Sequence, residues 1–71
     1  MEYQAVIEIL GFAAANERTV TIVTTDGHRV TGVPTSVDEH PTALEVFLHP
    51  EGDDSTEIAI ALTAIGSVHL V

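Results

Sequence analysis

Lysine, cysteine and tryptophan are all absent from this chain of 71 residues, and arginine occurs only at Arg18 and Arg29. Without cysteine there are no disulfide staples and no thiolate metal sites. Two cations against eleven Asp and Glu residues leave a formal charge of −9. Phosphate backbones are held mainly by Lys and Arg, so this balance disfavours nucleic acid in ordinary salt. High salt, as in a salt-adapted host, would screen the repulsion. Elsewhere the acids read as a solvated, solubilising face. Tyr3, Phe12 and Phe47 are the whole aromatic complement, too few for the aromatic groove that proline-rich peptides need. The opening run M-E-Y-Q-A-V-I-E-I-L carries acid where a secretory leader carries base, and Glu8 interrupts it. The expectation is no leader, no membrane span and a cytoplasmic protein.

At this length the chain is expected to form a single domain over residues 1–71. Its core is modest, and oligomerisation is the stabiliser left once disulfides and metals are set aside. So small a domain also leaves little room for a deep ligand pocket.

The clearest local signal lies between residues 20 and 39. Two β-prone runs flank Asp26-Gly27, the pattern of a hairpin closed by a type I′ turn. Gly32 falls inside the second run, where a sharply bent strand has no space for a side chain. Pro34 follows it, donates nothing to a ladder, and calls for an edge, a bulge or a bend. Strands are expected at residues 19–25 and 28–37, with a connection over 38–42. Further strands are expected at 43–49, 56–62 and 65–71, the last two joined by a corner at Thr63-Ala64. In the third, Leu44, Val46 and Leu48 share one face. In the fourth, Ile58, Ile60 and Leu62 share one face, while Ala59 and Ala61 leave the other flat and apolar. A strand apolar on both faces is normally covered on both. Here a second subunit is the expected cover.

Residues 1–16 carry two competing periods. Tyr3, Val6, Ile7, Leu10 and Ala14 make a helical stripe, whereas Tyr3, Ala5, Ile7 and Ile9 alternate. The alanine run 13–15 favours helix, and Asn16 is suited to close it in the left-handed region. The fold class expected is all-β (mainly β): a small, strongly bent five-stranded barrel over residues 19–71, behind an N-terminal helix.

This layout resembles the Sm-like family, nearest its Hfq branch. Val20 and Ile22 stand at the strand positions of the first Sm motif, Asp26-Gly27 at its turn, Gly32 at its internal glycine and Asp38 at its acidic position. T-A-I-G-S-V-H-L stands at the second motif more loosely. The resemblance implies a closed homo-oligomeric ring in which the fourth strand of one copy pairs with the fifth of the next. Ile58, Ile60, Leu62, Val68 and Leu70 would then hold core and interface, while Asp26, Gly27 and Gly32 shape turn and bend. It implies RNA contacts at Arg29, Asp38, His40, Thr42, Gly66 and Ser67. The chain departs from the family at those contacts. Thr42 replaces the base-holding asparagine, Ile65-Gly66 the Arg-Gly pair, Leu62-Thr63 the Lys-His pair, and Pro34 an apolar strand residue.

No catalytic arrangement is legible. Ser36, Ser55 and Ser67 lack a nucleophile elbow, and no phosphate-cradling glycine loop is present. His28, His40, His49 and His69 are not at metal-ligand spacing. Glu51, Asp53 and Asp54 lack the alternation of a calcium loop. No cofactor, metal or enzymatic activity is expected. The expected function is a non-catalytic, ring-forming binding or assembly module whose partners are itself and another protein. An RNA-binding Sm-like protein and a monomeric SH3-like protein-binding barrel are the alternatives.

Overall fold

The computed structural model describes residues 3–40 and 43–71. One helix, α1 (Tyr3–Asn16), precedes five strands: β1 (Val20–Thr24), β2 (Arg29–His40), β3 (Ala43–Pro50), β4 (Ile58–Ala61) and β5 (Ile65–Leu70). A single 3-10 turn, Leu62–Ala64, links the last two. The helical period therefore wins over the alternating one at the N-terminus. Leu10 and Ala13 are fully buried against the sheet, and Tyr3, Val6 and Ile7 pack around them. An alternating strand would have turned Val6 and Leu10 away from Tyr3 and Ile7.

The helix does not end as its sequence predicts. Asn16 stays helical and turns its amide nitrogen back to the Phe12 carbonyl at 2.9 Å. Glu17 takes the left-handed position instead, at φ 53°. The Arg18 N–H then donates to the Ala13 carbonyl at 2.9 Å, a six-to-one bond that closes a Schellman motif with Glu17 where glycine is usual.

All ladders are antiparallel, in the order β4-β3-β2-β1-β5. The β1–β2 hairpin forms as expected, but its turn is not type I′. Only Gly27 has positive φ there, at 91°, and its N–H donates to the Thr24 carbonyl at 3.0 Å. This is the three-residue connection in which an ordinary turn is followed by a left-handed glycine. Asp26 keeps negative φ because its carboxylate is engaged: it accepts from the Thr24 hydroxyl and lies 3.1 Å from His28 Nδ1.

β2 is longer than expected. Asp38, Glu39 and His40, assigned above to a connection, stay in the ladder opposite Glu45, Leu44 and Ala43. Pairing to β3 holds them extended, and a turn composition alone could not foretell that partner. Thr42 lies outside the described residues. The bend falls where Gly32 and Pro34 place it. A Cβ on Gly32 would sit 2.1 Å from the His49 carbonyl oxygen, so only glycine lets β3 cross that closely. The register slips between Pro34 and Ser36, and Thr35 is the residue expelled from the ladder.

The core joins Leu10 and Ala13 of α1 to Val20, Ile22, Val46, Leu48, Ile60, Leu62 and Ile65. No polar or charged residue is buried among the described residues. The sheet curls far enough for one 3-10 turn to join its two outermost strands, yet no ladder joins β4 to β5. No helix among the described residues is long and apolar enough to cross a membrane.

Candidate functional site

The residues singled out for RNA contact do not converge. Register places Arg29 and Ser67 on either side of Val23, on one face of β2, β1 and β5. Thr21, Thr31 and His69 stand in the next cross-strand row of that face. Thr21 and Thr31 hydroxyls lie 3.1 Å apart, and Ser67 Oγ lies 3.0 Å from His69 Nε2. Gly66, the second residue of β5, lies beside Val23, whose carbonyl oxygen would be 3.2 Å from an added Cβ. Asp38 and His40 stand at the other end of β2, where Asp38 faces Glu45 and, one strand further, Ala61. Asp38 Oδ1 accepts from the His40 N–H at 2.9 Å. One end thus offers a single arginine with hydroxyls and an imidazole, and the other a carboxylate pair.

Of the residues assigned to core and interface, Leu62 and Ile60 lie in the chain's own core at 0% and 9% exposure. Ile58 and Val68 pack partly against that core. Leu70 is 46% exposed. Ala59 and Ala61 are exposed as well, so the flat second face of β4 has no cover among the described residues.

The acidic loop after β3 is organised by its own donors. Asp53 Oδ1 accepts from the Ser55 N–H at 3.0 Å and the Ser55 hydroxyl at 2.8 Å, and Oδ2 from the Thr56 hydroxyl at 2.8 Å. Those bonds, the Ser55 hydroxyl foremost, hold the Asp53 carboxyl below the ordinary aspartate range. Asp26 is lowered in the same way, first by the Thr24 hydroxyl and then by the His28 N–H. Hydrogen bonds to the ionised form do this without burial. No group of three metal-ligating side chains comes together among the described residues.

One concavity was not anticipated. An open cleft of about 490 Å³ lies between the end of α1, the β2 bulge, the end of β3 and the loop that follows. Ala14, Val33 and Pro34 supply its apolar wall, and Glu17, Thr35, His49 and Asp54 its polar groups. The volume falls within the ordinary range for small-ligand sites. It arises because the bulge lifts Thr35 out of the ladder while the Schellman turn holds Glu17 beside it. Pro34 was the sequence signal for the bulge. Nothing local marked the helix end as its other wall.

Comparison with protein-family models, with curated proteins and with solved structures finds no match.

Proposed function

We propose that this protein is a non-catalytic assembly module that builds a homo-oligomeric ring by pairing β5 of one copy with β4 of the next. The observation that carries this reading is the pair of unpaired edges at the two ends of one curled sheet. Val71 N–H donates to the Thr19 carbonyl at 3.0 Å. Backbone direction alternates along a strand, so Val68 and Leu70 turn their backbone groups to the free side. An open edge with apolar side chains is a template for another strand. Each copy carries one edge of each kind, so the contact is head-to-tail, and it closes a ring where the rotation permits.

Several features support the reading. Leu70 and Val71 are exposed at the β5 edge, as Ala59 and Ala61 are on β4. The strand order, the 3-10 turn between β4 and β5, and the Gly32 bend agree with the Sm-like resemblance drawn from the first hairpin. On this reading the curled sheet is the family's open barrel. The partner surface suits protein better than RNA, since the candidate RNA contacts divide between two ends of the sheet and include one arginine.

The test is native mass spectrometry of protein purified without nuclease, beside the Leu70→Pro variant. Proline there removes an outward N–H and leaves the β1 ladder intact. A discrete multimer without RNA that becomes monomer in Leu70→Pro is expected. A wild-type monomer, or a multimer indifferent to Leu70→Pro, overturns the edge-pairing reading. A multimer that carries RNA overturns the protein-only assignment.

A further inference from the structure

We infer that the cleft between the end of α1 and the β2 bulge binds a small aliphatic diamine. The first argument is hydrogen-bond chemistry. The Thr35 hydroxyl donates to the Phe47 carbonyl at 3.1 Å, with Glu57 Oε2 3.5 Å away. His49 Nδ1 stands 2.8 Å from the Thr56 carbonyl. A carbonyl only accepts, so that ring nitrogen carries the proton, and in the neutral ring Nε2 is left as an acceptor. Pro34 has no backbone N–H. The side chains lining the cleft therefore offer lone pairs and no spare donor: Glu17 and Asp54 carboxylates, His49 Nε2 and Thr35 Oγ1. A ligand suited to them is rich in donors, and an ammonium group has three donors and no acceptor.

The second argument is charge and shape. The one ion pair among the described residues is His28–Asp26, at the far hairpin, so neither Glu17 nor Asp54 is neutralised by an arginine. The two carboxylates come from separate elements, the end of α1 and the loop after β3. Ala14, Val33 and Pro34 line the same cleft. Two anionic side chains and the apolar Ala14 and Val33 in one cleft suit two ammonium groups joined by methylenes. Chloride, phosphate and carboxylate ligands would instead meet the Glu17 and Asp54 carboxylates.

The inference is independent of ring assembly. It is tested on the whole protein by isothermal titration calorimetry with 1,4-diaminobutane, 1-aminobutane and sodium chloride at matched ionic strength. Saturable one-to-one binding of the diamine is expected, about tenfold tighter than the monoamine. Glu17→Gly and Asp54→Asn are each expected to weaken it about tenfold. Glu39→Gln, which removes the same charge at the far end of β2, leaves it unchanged. Glu17→Gly also relieves a left-handed residue, so lost binding in that variant cannot come from lost folding; its melting temperature is measured alongside. Non-saturable heats, equal affinity for monoamine and diamine, or equal losses in Glu17→Gly and Glu39→Gln reduce the effect to general counterion attraction and overturn the assignment.

Discussion

Three glycine-related positions show how differently one backbone atom can matter. Gly32 has no space: its Cβ would overlap the His49 carbonyl. Gly32→Ala should cost about 3 kcal/mol or more, since backbone must move to admit it. Gly11 lies within α1, and a methyl group added there would meet nothing within 4 Å. Gly11→Ala should stabilise by about 0.5–1 kcal/mol through helix propensity alone. Glu17 is the converse, a residue with a side chain where glycine belongs, and Glu17→Gly should gain about 1 kcal/mol. Urea denaturation of the three variants checks all of these. Opposite signs at Gly32 and Gly11 are the decisive outcome, because composition treats the two alike.

The elements divide by how much they depend on neighbours. α1 carries Gly11 and three β-branched residues, and it owes its stability to the face that buries Leu10 and Ala13. Leu10→Ala should destabilise by about 2–5 kcal/mol. The two turns depend instead on ionised carboxylates. Asp26 and Asp53 both have lowered pKa values, so the folded form holds the ionised state more strongly than the unfolded chain does. That contribution is complete above the ordinary aspartate range and is lost as pH falls through the lowered folded values, below about pH 4. Asp26→Asn and Asp53→Asn should each flatten the fall in stability over that window. Chemical denaturation at a series of pH values reads the difference between variant and parent. An unchanged slope would mean that the hydrogen bonds persist in the unfolded turn.

For the whole molecule, charge and edge pull in opposite directions. A net charge of −9 on 71 residues makes copies repel, while the exposed β4 and β5 edges favour pairing. Screening weakens the first and leaves the second. Raising sodium chloride from about 10 mM to about 0.5 M should therefore raise the melting temperature and shift sedimentation toward the proposed multimer. A multimer that dissociates as salt rises would mean that ion pairs rather than strand edges hold it.

Local rules carried much of the architecture. The hairpin at Asp26-Gly27, the bend at Gly32, the bulge at Pro34 and the inward faces of β3 and β4 follow from positive φ, missing side chains, missing donors and period two. These are properties of a few adjacent residues, so they are legible in order along the chain. Decisions that required a partner from elsewhere were not. Asp38, Glu39 and His40 read as a turn until β3 pairs with them. The cleft has walls from α1, β2, β3 and a loop, which no local pattern brings together. Sequence by itself determined which segments bend and which faces turn inward, because those are local energies. Tertiary structure alone decided which carboxylates share a cleft, which edges stay open and how the candidate contacts divide, because contacts between distant segments exist only after the sheet has curled.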